Sequence, residues 1–221
     1  MITYKLHLIR HGETEGNRKK ICVGARTDLP LAPEGAEDLR ERMEARPYPA
    51  VPRVYTSPML RCRETAEILF PEAEAEPVEG LRECDLGAFE GRPFAELNRE
   101  EAFLLWLEGK APPPGGETFE ELGRRVTEAF EYILSDMMRR RIIEAAAVTH
   151  GAIVMGLLSM YGYPKAEMRE WAVENGCGYT VRTSAAMWMR DRCFEVVSAV
   201  PSAARETEEE GEEEIWNLEE R

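Results

Sequence analysis

The chain has 221 residues, of which 43% are hydrophobic and 32% are charged. This length allows one large domain or two small ones, and the hydrophobic fraction is sufficient for a core. The sequence has no apolar run of about 18 residues, and its opening lacks the basic and then apolar pattern of a signal peptide. We therefore expect a protein that works in the cytoplasm and has no membrane partner.

The cysteines and the charge exclude several classes of protein. The five cysteines are scattered and never form a CxxC pair, which argues against a disulfide framework or a zinc site. The net charge of −14 argues against nucleic acid as a partner. The charge is uneven, because residues 206–221 hold nine Glu whereas residues 1–63 hold 12 Lys/Arg against 8 Asp/Glu. An anion can therefore still bind locally.

Strands alternate with helices along the chain. Three strands are predicted from alternating or short apolar runs at residues 3–9, 53–56 and 145–149. Ser57 and Pro58 are expected to open a helix that continues to about Phe70. A buried helix is expected at 152–161.

The second half of the chain continues this alternation. A capping box formed by Thr118 and Glu121 predicts the start of a helix that continues to residues 139–141. Further predicted features are a helical excursion at 94–107, a loop at 111–116, and strands at 178–183 and 194–200. This order predicts a three-layer α/β/α sandwich with a mostly parallel sheet. We expect a single domain over residues 1–202 and a disordered acidic tail over residues 203–221.

Candidate functional residues lie directly after the predicted strands, where ligands bind in open α/β sheets. Arg10 and His11 follow the first strand, and His150 follows the third. The chain has only three histidines, and both His11 and His150 precede a glycine, which lets a ligand approach the backbone. The third, His7, lies within a strand and is interpreted as a packing residue.

Arg10 and Arg61 are candidate anion ligands. Arg61 falls in the first turn of the helix after the second strand, so its guanidinium and the positive helix end can address the same anion. Arginine offers planar, bidentate donors for phosphate oxygens and keeps its charge. An isolated arginine is more often a surface ion-pair residue, so the indication comes from the combination with two histidines.

Short motifs occur in order along the chain. They are LIRHGETEGN (8–17), GARTDLPLAPEG (24–35), TSPMLRCRETA (56–66), LRECDLGAFEG (81–91) and THG (149–151), with GGETF (115–119) as a weaker match. Together they resemble the histidine phosphatase superfamily, which contains cofactor-dependent phosphoglycerate mutases, fructose-2,6-bisphosphatase and many small bacterial phosphatases. The resemblance covers about residues 3–200 and implies a phosphoglycerate mutase-like fold.

The resemblance also implies roles for individual residues. His11 would be the nucleophile, Glu83 the proton donor, and Arg10, Arg61, His150 and, more peripherally, Asn17 the phosphate ligands. No metal or other cofactor is implied. A carboxyl group beside a dianionic phosphate has a raised pKa, which suits Glu83 as an acid. Cys62 and Cys84 depart from the family pattern, which affects the expected substrate fit but not the chemistry.

Several alternatives stay open from the sequence. Glu83 can instead pair with Arg82, and Asn17 can be a helix cap. The predicted function is a metal-independent phosphomonoesterase that hydrolyses a small phosphorylated metabolite. The alternatives are a phosphoglycerate-type phosphomutase and a phosphate-binding protein with residual activity, whereas a dinuclear metal hydrolase lacks histidine ligands. The substrate and the oligomeric state are not predicted.

Overall fold

A seven-stranded sheet runs through residues 2–202, the part of the chain that the computed structural model describes. The strands are β1 (Tyr4–Arg10), β2 (Arg53–Thr56), β3 (Glu74–Pro77), β4 (Glu144–Thr149), β5 (Gly162–Tyr163), β6 (Gly178–Thr183) and β7 (Phe194–Val200). The helices are α1 (Glu15–Arg18), α2 (Pro33–Ala45), α3 (Leu60–Leu69), α4 (Phe94–Leu97), α5 (Glu101–Leu107), α6 (Phe119–Arg140), α7 (Gly151–Tyr161) and α8 (Ala185–Asp191). Among these helices, none is both long and apolar enough to cross a membrane. The predicted acidic tail, residues 203–221, lies outside the described residues.

The sheet is mostly parallel, as predicted. Its strand order is β3-β2-β4-β1-β6-β7-β5. Only the two pairs that involve β6 are antiparallel. Because β2, β4 and β1 are parallel neighbours, their carboxyl ends open into one crevice.

Helices cover both faces of the sheet, and β4 shows how the sequence achieves this. Ala145 and Ala147 point into one apolar cluster, whereas Ala146 and Val148 point into the other. The first cluster includes residues of α6 and α7, and the second includes residues of α2 and α3. A strand buried on both faces needs a continuous apolar run, which is the pattern that predicted it.

Local signals predicted five of the seven strands and helices α3, α6 and α7, but not helices α1, α2 and α8. Helix α6 begins at the capping box, in which Thr118 Oγ1 accepts a hydrogen bond from the Glu121 N–H and the Glu121 carboxylate accepts one from the Thr118 N–H. Strands β3 and β5 were not predicted, because both are short edge strands with exposed residues and no apolar run. The predicted excursion at 94–107 consists of the two short helices α4 and α5.

A third apolar cluster lies beneath this excursion. Its buried members are Cys22, Cys84, Leu86, Phe89, Leu97 and Phe103. The ring centroids of Phe89 and Phe103 are 5.2 Å apart in an edge-to-face arrangement, which is a favourable geometry for aromatic pairs. The cluster therefore anchors the excursion to the chain segment around Glu83.

Candidate active site

His11 follows β1 and lies in the crevice at the carboxyl end of the sheet. Its main-chain N–H donates to the Thr149 carbonyl at 2.9 Å, and the residue is 5% exposed. Its Nδ1 atom lies 2.7 Å from the carbonyl oxygen of Gly12. Since a carbonyl only accepts hydrogen bonds, Nδ1 carries the hydrogen and Nε2 keeps its lone pair.

The surroundings of His11 favour the neutral ring. Burial, together with the positive charge of Arg61, lowers the pKa of His11 well below its usual 6.5. Arg10 acts on this pKa in the same direction. At neutral pH the ring is therefore unprotonated at Nε2 and can act as a nucleophile.

Arg10 and Arg61 both lie near enough to His11 for their charges to lower its pKa. Arg61 is 1% exposed and donates to the carbonyl groups of Thr27 and Gly24 at 3.1 and 3.3 Å. Arg10 donates through Nη1 to the Val173 carbonyl at 2.8 Å. Its Nε is buried and has no hydrogen-bond partner among the described residues. A buried guanidinium N–H needs an acceptor, which an anion beside His11 would supply.

His150 is completely buried and lies next to His11. The two ring centroids are 5.2 Å apart, with an angle of 65° between the ring planes. His150 Nε2 lies 2.9 Å from Ser57 Oγ and 3.5 Å from Cys62 Sγ. Burial and the adjacent His11 ring lower the pKa of His150 well below 6.5. The crevice thus holds two neutral imidazoles, and the charges of Arg61 and Arg10 act on both of them.

Glu83 is partly buried, and it lies near enough to Arg61 and Arg10 for their charges to act on it. Its Oε1 accepts a hydrogen bond from the Cys84 N–H at 2.9 Å. Burial raises the pKa of Glu83 above its usual 4.5, although that hydrogen bond and the charges of Arg61 and Arg10 act in the opposite direction. It is not paired with Arg82, which donates instead to the Ala25 carbonyl. The interpretation of Glu83 as a loop carboxylate paired with Arg82 is therefore wrong.

Asn17 lies close to His11 but is already engaged in a helix cap. Its Oδ1 accepts hydrogen bonds from the N–H and the hydroxyl group of Thr14, both at 3.0 Å. Asn175 Nδ2 lies 3.3 Å from the same oxygen. The Nδ2 group of Asn17 makes no hydrogen bond within residues 2–202, so it is the group left for a ligand. The role of Asn17 as a phosphate ligand stays a prediction.

The helix that carries Arg61 does not begin where the sequence predicted. Ser57 and Pro58 do not open α3, which begins at Leu60 and has no side-chain cap from its own preceding residues. Asp28 Oδ1 accepts the Leu60 N–H at 2.8 Å and acts as the cap from a distant loop. Arg61 still falls in the first turn, so its predicted position next to the helix start holds.

Three residues that the sequence analysis did not single out also hold the site. Thr65 Oγ1 accepts the Gly12 N–H at 2.9 Å. Asn175 Nδ2 donates to the His11 carbonyl at 3.0 Å. Arg125 donates to main-chain carbonyls of the segment that carries Glu83. Thr65 lies inside one of the short motifs, whereas no local signal marks Asn175 or Arg125.

Comparisons with known proteins give the family and the fold that this chain resembles. The chain is 28% identical over 183 residues to the uncharacterized phosphatase PhoE of Bacillus subtilis. The aligned region covers 82% of this chain and 89% of that protein. The alpha-ribazole phosphatase of Shigella flexneri has a similar fold, with a TM-score of 0.71 and 23% identity over 87% of this chain and 94% of that chain. The phosphoglycerate mutase of Bacillus anthracis gives a TM-score of 0.72 with 20% identity, over 89% of this chain and 92% of that chain.

The fold match extends across both a phosphatase and a mutase, so it does not separate these activities. The family model of the histidine phosphatase superfamily (branch 1) matches residues 6–194. This range includes every candidate residue of the crevice, from Arg10 to His150. The chain belongs to the histidine phosphatase superfamily.

Proposed function

We propose that this protein is a metal-independent phosphomonoesterase that hydrolyses a small phosphorylated metabolite through a phosphohistidine on His11. The observation that supports this most is the state of His11. Its ring is neutral, its tautomer leaves Nε2 free, and the positive charges of Arg61 and Arg10 act on it. This combination provides a nucleophile and an anion site in one crevice.

The substrate phosphoryl group would bind between Arg10, Arg61 and His150. The buried Arg10 Nε has no protein partner in the described residues, so a phosphate oxygen can accept its hydrogen bond. Arg61 is fixed by two carbonyl groups and therefore loses little freedom when the anion binds. The charges of both arginines then stabilise the oxygens around phosphorus in the transition state without a metal ion.

In the first step, His11 Nε2 attacks phosphorus in line with the leaving oxygen. The N–P bond forms, the P–O bond breaks, and Glu83 transfers its proton to the leaving oxygen. The raised pKa of Glu83 favours the protonated acid that this step needs. The hydrogen bond from His11 Nδ1 to Gly12 stabilises the positive charge that develops on the ring.

In the second step, water replaces the histidine. The Glu83 carboxylate accepts a proton from water as the O–P bond forms and the N–P bond breaks. Inorganic phosphate leaves, and both Glu83 and His11 return to their starting states. One carboxyl group therefore serves as acid and then as base, as microscopic reversibility permits.

The cysteines and the net charge support a proposal for the place of action and for the class of partner. All five cysteines are free thiols in the structure, which fits a reducing compartment. We propose the cytoplasm as that compartment. The net charge of −14 supports a small phosphorylated substrate over nucleic acid.

A phosphomutase is the second candidate, because the chain shares its fold with a phosphoglycerate mutase. A mutase must exclude water from the phosphohistidine and return the phosphoryl group to another oxygen of its substrate. The short helices α4 and α5 are a small cover for that purpose. Product analysis separates the two candidates, since the phosphatase releases inorganic phosphate and the mutase conserves the phosphomonoester.

The test is to trap and locate the phosphoenzyme. Wild type quenched during turnover of an aryl phosphate should carry phosphate that is labile in acid and stable in base, and His11→Ala should carry none. His7→Gln is the control. His7 is also a buried histidine, but it lies within β1 and its ring contacts Thr180 and Glu144. EDTA should leave the rate unchanged. An acid-stable adduct, or turnover by His11→Ala, would refute the proposed function.

A further inference from the structure

The side chain of Glu83 has little to hold it in place. It lies after a 3₁₀ turn at Glu79–Leu81, outside the strands of the sheet. Among the described residues its carboxylate accepts one hydrogen bond, from the Cys84 N–H. The position of this carboxyl group therefore depends on how the surrounding main chain is fixed.

Arg125 of α6 fixes that main chain. Its Nη1 donates to the carbonyl groups of Gly80 and Arg82, both at 2.9 Å. Its Nη2 lies 3.4 Å from the carbonyl oxygen of Glu83 itself. The guanidinium thus addresses three carbonyl groups across four consecutive residues of the segment that carries the proposed acid.

Glu117 holds the opposite edge of the same guanidinium. Its two carboxylate oxygens accept hydrogen bonds from Arg125 Nε and Nη2 at 2.8 and 2.7 Å. The Glu117 N–H donates in turn to the Asp85 carbonyl at 2.9 Å. The pair Arg125 and Glu117 therefore connects the longest helix to both ends of the Glu83 segment.

This arrangement requires arginine. Only a planar guanidinium presents several N–H groups at fixed angles, so that one edge can bind a carboxylate while the other binds carbonyl groups. The close approach also requires Gly80, because a Cβ atom at this position would lie 2.6 Å from the Cβ atom of Ala129. The 3₁₀ turn can therefore pack closely against α6.

The pairing with Glu117 also offsets the positive charge of Arg125. The charge of Arg125 favours the ionised form of Glu83 and so lowers its pKa. The Glu117 carboxylate, which binds Nε and Nη2 of Arg125, reduces this effect. Arg125 can thus supply hydrogen-bond donors to the segment with only a small electrostatic effect on the acid.

We propose that Arg125, held by Glu117, is the positioning residue that aims the carboxyl group of Glu83 at the leaving oxygen. The inference rests on the proposed function, in which Glu83 is the general acid. Arg125 does not touch the substrate in this proposal. Its main action on Glu83 is through the main chain of residues 80–83.

The test compares two kinds of leaving group in Arg125→Lys and Glu117→Gln. For an alkyl phosphate, which needs the proton, phosphoenzyme formation should slow by roughly 10- to 100-fold, because a small misplacement of an acid costs this much. For an aryl phosphate of an acidic phenol, the same step should slow by less than about threefold. Arg182→Lys is the control, since Arg182 pairs with Glu195 on β6 and β7 and bonds no carbonyl group near Glu83.

A double-mutant cycle gives the second readout. In a Glu83→Gln background there is no proton to aim, so Arg125→Lys should have almost no further effect on the alkyl phosphate. Equal losses for both leaving groups, no loss for either, or full additivity with Glu83→Gln would each overturn the inference. If Arg125→Lys does not fold, Glu117→Gln decides the question through the loss of rate that it causes with the alkyl phosphate, divided by the loss that it causes with the aryl phosphate. Failure of the proposed function is separate, because it would show as a missing phosphohistidine in the wild type.

Discussion

The carboxylate of Asp28 accepts a hydrogen bond from the main-chain N–H of Leu60 at 2.8 Å and so caps the helix on which Arg61 lies. Asp28→Ala should lower the free energy of unfolding by about 1 kcal/mol, the usual effect of losing a cap. The same variant should also raise KM, because Arg61 lies in the first turn of the helix and this turn loses its cap. Denaturant titration and steady-state kinetics measure the two effects.

Asp28→Asn is the matched control for this prediction. Its side-chain oxygen can still accept the Leu60 N–H, so both stability and KM should stay close to those of the wild type. If Asp28→Asn is as impaired as Asp28→Ala, the charge matters and the cap does not.

The rate of phosphoenzyme formation should depend on pH differently for the two leaving groups. The reaction needs neutral His11, whose pKa is lowered well below 6.5, so activity should be lost only in more acidic solution. An alkyl phosphate also needs protonated Glu83, whose pKa is raised above 4.5, and its rate should therefore fall as pH rises through that raised value. The aryl phosphate should lack this decline.

Single-turnover rates across the pH range measure this difference. The phosphate group of an aryl ester is more acidic than that of an alkyl ester, so each rate is first corrected for the fraction of the substrate that is dianionic at that pH, and the corrected rates are then compared as a ratio. A ratio that is independent of pH, or an acidic limb near 6.5 that belongs to His11, would contradict the assignments.

The stability of the folded protein should also depend on pH. Burial lowers the pKa of His7, His11 and His150 below 6.5, so the unfolded chain binds more protons as pH falls through this value. The free energy of unfolding should therefore decrease on acidification, by at most about 1.4 kcal/mol per pH unit for each histidine. Glu83 acts in the opposite direction, because the folded state keeps its proton at pH values above 4.5.

Urea denaturation at about pH 7.5 and about pH 5.5 tests the sign, since both values lie on the slope of the histidine titrations. Three histidines oppose one glutamate, so the more acidic sample should be less stable. Equal stability at the two pH values would mean that the rings are not held neutral.

Glu83→Gln should separate proton donation from binding. The amide keeps the shape of the side chain but has no acidic proton, so hydrolysis of an alkyl phosphate should slow by roughly 10²- to 10⁴-fold. For an aryl phosphate, the phenol should appear in a fast burst followed by slow turnover, because water has lost its base. Equal losses in the first step for both substrates would mean that Glu83 only binds or orients.

Asn175 should affect the nucleophile and not the acid. Its Nδ2 donates to the carbonyl groups of His11 and Gly12 at 3.0 and 3.2 Å, and the second carbonyl also sets the tautomer of His11. Asn175→Asp places an oxygen opposite these acceptors and should slow phosphoenzyme formation by roughly 10- to 100-fold for both leaving groups. Asn98→Asp, at an exposed turn after α4, is the control. A loss confined to alkyl phosphates would contradict this role.

Local patterns were sufficient to predict much of the fold. Strand β2 lies at residues 53–56 as predicted, because Val54, Tyr55 and Thr56 are β-branched or aromatic residues that favour strands. The capping box at Thr118 likewise marks the start of α6. The residues that follow β1 and β4 could be identified as candidates because parallel strands end at one edge of the sheet.

The supporting contacts could not be predicted in this way. Asp28 caps a helix 32 residues further along the chain, and Asn175 reaches a carbonyl group 164 residues away. Neither contact leaves a periodic or turn-like pattern near its own position. Ser57 shows the converse case, because its sequence context predicts a helix cap while its hydroxyl lies 2.9 Å from His150.

The Nε of Arg10, which has no hydrogen-bond partner among residues 2–202, also affects how turnover ends. Released inorganic phosphate carries the same oxygens as the substrate, so it can accept the same hydrogen bond and should act as a competitive inhibitor. At a phosphate concentration a hundred times its Kd, the folded state would gain about 2.7 kcal/mol of stability, which a thermal shift assay detects readily. The rate inside a cell then depends on the free phosphate concentration as well as on the supply of substrate.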